Sequence, residues 1–251
     1  MNIFSLSMAS LLMLIPLAFS KVQKLHLEKE ILIGTLRAVL QLSAIGFVLK
    51  YIFNVNNGLL TFVMILIMMF NASYLAAQRG KEIKNSKSIA FYAISAGTIT
   101  TLGILIAVGS IEYVPSQVIP ISGMIVGNSM VAVGLTFKQL RQNYLDKIQE
   151  IEVKLSLGAS AKEASIGLIR DAVKTGMMPT VDSMKTLGII QLPGMMTGLI
   201  LAGVSPLVAI QYQILVTFML SSAVSISAFT SSFLAYREFF NERVQLTLER
   251  K

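Results

Sequence analysis

The sequence predicts an all-α, polytopic membrane protein with about seven transmembrane helices and a cytoplasmic helical segment between spans five and six, forming a single transmembrane domain over 1–251. Three observations carry that expectation. Of 251 residues, 54% are hydrophobic and 14% charged, roughly half the charge of an average soluble domain. Seven apolar stretches approach the roughly 20 residues that cross a hydrocarbon core at about 1.5 Å per residue. The basic residues fall almost entirely in alternate connections, as the retention of Lys and Arg on the cytoplasmic side requires.

Taken in order, the spans are Asn2 to Ser20, Ile31 to Phe53, Gly58 to Ala77, Ser88 to Ile111, Val118 to Phe137, Thr186 to Val204 and Leu207 to Ala235. Lys21, Lys24 and Lys29 follow the first; Arg79, Lys81, Lys84 and Lys87 follow the third. Lys138, Arg141, Lys147, Lys154, Lys162, Arg170, Lys174 and Lys185 follow the fifth, and the tail carries Arg237, Arg243, Arg250 and Lys251. The two remaining basic residues, Arg37 and Lys50, lie within span two. This asymmetry sets the N-terminus outside and the C-terminus in the cytoplasm, in the cell inner (plasma) membrane. It also accounts for the net charge of +8 as a topology signal, so nucleic acid is not an expected partner and the lipid bilayer is. Ala18-Phe19-Ser20 resembles a signal-peptide cleavage site, but the first twenty residues hold no Lys or Arg for a basic n-region, which favours a retained span.

Composition excludes several chemistries. With no cysteine and one histidine, His26, there is no disulfide scaffold, thiolate metal site or His-rich zinc cage. The serines of span seven have no in-span base to activate them, so an enzyme is not expected. All 13 acidic residues, Asp182 among them, are placed outside the spans. Proton- and sodium-coupled carriers need a mid-membrane ionisable group, so the driving force is expected from the cytoplasmic side. The translocation-path candidates are the polar residues left within spans: Arg37 with Gln41 one turn further on the same face, Asn71, Asn128 and Gln191. Interhelical hydrogen bonding is the competing role for each. Fourteen methionines read as adaptable packing, since only Met64 and Met68 share the spacing of a ligand ladder. Gly123 with Gly127 and Gly194 with Gly198 have the spacing that lets helices approach closely, between spans five and six or across a dimer. Pro193 predicts a kink in span six.

The coupling region, about 138–185, is patterned. Leu140, Tyr144, Ile148, Ile151 and Leu155 recur at helical spacing, so span five is expected to continue beyond the membrane surface until Gly158 stops it. Ser160 and Glu163 form a capping box, starting a second helix that runs to about Lys174 and is ended by Gly176 and Pro179.

Glu152 to Ser160, with Glu152 and Gly158 six apart, resembles the loop by which ATP-binding cassette importer permeases engage their ATPase, although Val153 and Lys154 stand where that loop carries alanines. The longer run from Met178 through Pro179, Asp182, Lys185 and Gly188, then Leu192 to Gly198, Gly203 to Pro206, and Gln211-Tyr212-Gln213, resembles the iron-export ABC permease family and the plant membrane subunits linked to aluminium tolerance. Leu36 to Leu42 and Asn128 to Met130 are similar to family segments as well. The resemblance implies a non-enzymatic permease subunit of a metal exporter, two copies working with a separate ABC ATPase subunit. ATP and magnesium would then sit on that partner and no cofactor on this chain, in keeping with the absence of a GxxxxGK[ST] phosphate loop. It also implies ATPase coupling through Glu152, Gly158, Ser160, Glu163 and Arg170. Metal ligands are unassigned, because the spans offer no anionic oxygen of the kind that iron prefers. A cargo carried as an anionic complex would give Arg37 a role. The alternative reading is a stand-alone carrier or channel for a small solute.

Overall fold

The computed structural model describes residue 8 and residues 10–247. The chain divides into two compact units, Met1–Asn56 and Asn57–Lys251. In the first, a 3-10 turn (Ser10–Met13) leads into α1 (Leu14–Val22), and α2 (Glu28–Val55) follows. The joint is held by Ser20, whose hydroxyl donates to Glu28 (2.8 Å) and accepts the Leu27 N–H (3.0 Å). Asn56 ends α2 in the left-handed conformation that asparagine tolerates well. At expected span one, Asn2 to Ser20, the described helical stretch is Ser10–Val22, shorter than a membrane crossing needs; most of the span's first eight residues lie outside the described residues.

The second unit contains α3 (Gly58–Gln78), α4 (Ser86–Ala107), α5 (Pro115–Asp146), α6 (Ile148–Ser156), α7 (Ala161–Thr186), α8 (Gly194–Leu201) and α9 (Pro206–Ala235), then a 3-10 turn, Tyr236–Phe239. Five helices among the described residues, α2, α3, α4, α5 and α9, are long and apolar enough to cross a membrane. The chain is a multi-pass, all-helical membrane protein. Its middle helix is α5, which packs against α3, α4, α7 and α9. The core is built mainly of Val, Ile and Ala side chains such as Ala93, Ile94, Val126, Val133 and Ala172, with Phe137 and Leu140 completing it. A smaller cluster around Leu105, Ile125 and Met219 fills the end where α5 and α9 begin.

Two glycines allow the closest helix contacts. A Cβ on Gly97 of α4 would collide with Ser227 and the Ala223 carbonyl of α9. One on Gly176 of α7 would collide with the Thr136 hydroxyl and the Ala132 carbonyl of α5, with Ala228 of α9 alongside. Helix α7 is therefore wedged between α5 and α9.

That wedge corrects three expectations. Gly176 and Pro179 do not end the second helix near Lys174. Helix α7 runs unbroken to Thr186, because Gly176 serves close packing and Pro179 costs only a local backbone hydrogen bond inside a helix held on both sides. Span six is not one helix from Thr186 to Val204: residues 187–193 are non-helical, and Pro193 caps the separate eight-residue α8 in place of kinking a continuous span. The last two turns of α7, expected outside the apolar layer, lie beside the middle of span five, where Thr180 and Ser183 line a cavity of about 190 Å³ with Asn128.

The four glycines of the GxxxG pairs also differ from expectation within one chain. Nothing lies within 4 Å of a Cβ placed on Gly123, Gly127, Gly194 or Gly198, so spans five and six do not meet through them.

Replacing Gly176 with valine is expected to lower the apparent melting temperature in detergent, at a cost of about 1–3 kcal/mol from overpacking. Gly103→Val on α4, where nothing lies within 4 Å, should lose far less. Equal loss would mean that α7 is not wedged as described.

Candidate functional site

At the end of the molecule where the basic residues gather, α5 runs on as the amphipathic stripe requires, with Leu140, Tyr144 and Ile151 buried. It breaks once, at Lys147, before α6 continues to Ser156. Gly158 then adopts a φ of +92°, the left-handed geometry that lets a helix end without a side-chain clash. Ser160 caps α7: its N–H and hydroxyl donate to the Glu163 carboxylate (2.8 and 2.7 Å), and the Glu163 N–H donates back to the hydroxyl (3.3 Å). The Ser160 hydroxyl, followed by its backbone N–H, holds the Glu163 carboxyl below the usual glutamate range. Along the exposed flank of α6, Glu150 pairs with Lys154 at 2.6 Å.

Side-chain hydrogen bonds fasten this turn to the bundle. Tyr144 donates to the Ser165 hydroxyl (2.6 Å), which donates to the Ala161 carbonyl (2.6 Å). Gln139 donates to Asn143 (2.7 Å), and Asn143 donates to the Leu168 carbonyl (3.2 Å). Burial of Tyr144, Asn143 and Ser165 makes their bonds costly to break, since the partner left behind would have no water. Phe239 stacks on Tyr144 with ring centroids 4.1 Å apart, so the C-terminal segment joins the same assembly. Arg141 pairs with Glu82, and Asn85 donates to Glu238 (3.4 Å), tying in the α3–α4 connection. The contacts that cross between elements join residues far apart in the chain, and only the burial of Tyr144 was readable beforehand, from its place on the stripe.

Of the residues singled out for coupling, Glu152, Gly158, Ser160 and Glu163 gather at the turn. Glu152, Gly158 and Ser160 line a groove of about 860 Å³ with Arg243 and Gln245 of the tail. Two apolar side chains stand out at the tip: Leu157 is 83% exposed and Val153 59%. Arg170 lies elsewhere, in a groove along α7 and α9 that it shares with Lys174, Lys185 and Phe229.

The in-span polar residues separate likewise. Arg37 and Gln41 are both exposed on α2 of the first unit. Asn71 is exposed and donates to the Ile67 carbonyl of its own helix (3.0 Å). Asn128 donates to the Met124 carbonyl (2.9 Å) and borders the cavity shared with Ser183. Gln191, in the break between α7 and α8, donates to the Ser183 hydroxyl at 3.4 Å. Asn128 and Gln191 thus converge on the end of α7, and Asn71 is not part of that group. Among the described residues no three His, Asp or Glu side chains are grouped as a metal cage.

Comparison with known proteins gives consistent relatives. Residues 3–240 match the model of the uncharacterised protein family UPF0014. The chain is 50% identical to the probable iron export permease protein FetB of Escherichia coli K12, over 97% of this chain and 94% of that protein. It is 40% identical to the protein ALUMINUM SENSITIVE 3 of Arabidopsis thaliana, over 95% and 87% of the two chains. The rice UPF0014 membrane protein STAR2 is 41% identical, over 91% and 80%. No solved structure matches.

The cap has a pH signature. A carboxyl whose folded value is depressed contributes stability that is present above its ordinary value of about 4.3 and lost as pH falls through the lowered value. Hydrogen-exchange protection factors for the first turn of α7 should therefore drop as pH is taken below about 4. Glu163→Gln, which keeps a capping acceptor without the titration, should remove that dependence.

Proposed function

Because this chain belongs to the UPF0014 family, we propose that it is the membrane-spanning permease subunit of an ATP-binding cassette exporter for iron or a related metal. Half of its residues are identical, over nearly the whole chain, to a protein named as a probable iron export permease. The observation that carries the reading is the α6–Gly158–α7 turn. It is a preformed, hydrogen-bonded knuckle with exposed Val153 and Leu157, set on the end of a helix that continues past the middle of α5.

The mechanism follows from that continuity. A separate ATPase subunit binds ATP and magnesium and closes. The knuckle, docked against it by Leu157, Val153 and Glu152, is displaced. Helix α7 has 26 residues, about 39 Å at 1.5 Å per residue, and the Tyr144–Ser165 and Asn143–Leu168 bonds make α5 follow it. The displacement then reaches the non-helical residues 187–193 and opens or closes the path there. The knuckle faces the cytoplasm, with the C-terminus on that side and the N-terminus outside, as the distribution of Lys and Arg requires. Two copies form the transporter, meeting through faces such as Gly123 with Gly127 or Gly194 with Gly198, which are open within one chain and have the spacing for close approach.

A second reading, a stand-alone carrier, draws on one observation: Asp182 lies on the part of α7 that packs beside the middle of span five, which weakens the argument that no carboxylate is available for ion coupling. Liposomes separate the two. The proposal expects iron movement only when the ATPase and ATP are both present; uptake driven by an ion gradient in vesicles holding this chain alone would refute it. With the ATPase present, Leu157→Asp should reduce its stimulation about tenfold, as loss of a docking hot spot does, and leave the melting temperature unchanged. Full stimulation by that variant would remove the knuckle from the interface.

A further inference from the structure

The depth of α7 is fixed by a series of lateral contacts. Ser165 meets Tyr144, Leu168 meets Asn143, Gly176 meets Thr136 and Ala132, and Thr180 and Ser183 border the same cavity as Asn128. Each step along α7 is a matching step back along α5. This antiparallel register brings Asp182 level with Asn128, at the middle of the apolar stretch Val118 to Phe137. Helix α9 gives the same answer, since Gly176 meets Ala228 and Ser183 shares its cavity with Leu220.

Two features that hydrocarbon disfavours meet at this level, and two exposed isoleucines stand beside them. Asp182 and Lys185 form an ion pair at 3.0 Å whose side chains are 59% and 65% exposed. Helix α7 stops at Thr186, and residues 187–193 are irregular, with the N–H groups of Ile190 and Gln191 both turned back on the Thr186 carbonyl. Ile189 and Ile190 project from this segment 88% and 78% exposed. Irregular backbone and charged side chains at membrane depth persist only against protein or beside water. Broken helices that meet near the midplane are where secondary transporters place their cargo. Here the carboxyl end of α7 turns its negative dipole end toward the break, which favours a cation there over an anion.

Resting on the permease reading, we propose that the α7–α8 break and the Asp182–Lys185 face of α7 line the water-filled path, with Asp182 the direct ligand of the cargo cation. The cargo class is a divalent metal cation able to take oxygen ligands, such as ferrous iron, which carboxylates also ligate. In the empty path the Lys185 ammonium neutralises Asp182 at 3.0 Å, so that no unpaired carboxylate faces the path. An arriving cation replaces the ammonium as the partner of Asp182, and the displaced Lys185 repels it enough to permit release. This supplies the anionic oxygen that the apolar spans otherwise lack, and iron needs no anionic carrier to cross.

The natural absence of cysteine makes the test direct. In the full-length chain in membrane vesicles, Lys185→Cys and Ile190→Cys are exposed to a membrane-impermeant maleimide, with Ile104→Cys, outward-facing on α4, as the lipid control. A thiol reacts as its thiolate, which forms in water and not in hydrocarbon, so the two path positions should label about tenfold faster than the control. Ferrous iron should slow labelling of Ile190→Cys. Labelling at both path positions as slow as at Ile104→Cys would overturn the path, and labelling of Ile190→Cys unaffected by iron would overturn the ligand assignment. Transport by the complex with its ATPase gives the second arm: Asp182→Asn should lose iron movement about tenfold with undiminished folded yield, and Asp182→Glu should restore much of it. Normal transport by Asp182→Asn would overturn Asp182 as ligand. If the unsubstituted complex moved no iron, the exporter reading would fail, and the labelling rates would still decide the path.

Discussion

The contact on which the rest depends is the approach of α7 to α5 and α9 at Gly176. A hydrogen in place of a side chain lets α7 lie against the Thr136 hydroxyl and the Ala132 carbonyl. With that contact, a segment carrying Asp171, Lys174, Asp182 and Lys185 can pack lengthwise against α5 and α9. Its apolar and small residues, Leu168, Ile169, Ala172 and Gly176, turn inward, while its charges turn to the open side. Burial on one face holds the helix in place, and the ion pair on the other limits the electrostatic cost.

The same helix joins two regions that sequence alone treats as unrelated. At its start are the glycine turn, the capping box and the polar bonds to α5, all features that resist fraying. At its end, seven non-helical residues separate it from α8. A stiff element between a fixed knuckle and a break transmits displacement with little loss, because packed cores shift between discrete arrangements more readily than they deform. The hydroxyls of Ser129 and Thr136, buried without a hydrogen-bond partner, lie on α5, and Thr136 is the group that Gly176 of α7 approaches.

Local chemistry was legible in the sequence. The apolar runs locate the long helices, the stripe from Leu140 to Leu155 predicts the extension of α5, and Gly158, Ser160 and Glu163 act as their residue types require. What failed was punctuation that tertiary packing overrides. Gly176 and Pro179 look like a helix end because their intrinsic preferences say so, yet Gly176 is selected for close approach and the helix passes through both. The pairing of Asp182 with Lys185 is not visible to a hydropathy scale, because such scales score residues one at a time. The site was half readable for the same reason: Glu152, Gly158, Ser160 and Glu163 are neighbours in sequence and remain neighbours in space. The partners Tyr144, Phe239 and Ser165 come together only through the fold.

Helix α7 runs unbroken from the capped turn to a level beside the middle of span five. Spin labels on Lys162→Cys and Met184→Cys measure it directly, in lipid nanodiscs with labelled chain diluted by unlabelled chain so that only distances within a chain are read. Twenty-two residues of continuous helix separate the two backbone sites by about 33 Å, and a single narrow distribution near that value is predicted. A broad distribution, or one centred below about 25 Å, would show that the helix breaks at Gly176 or Pro179 and would contradict the account.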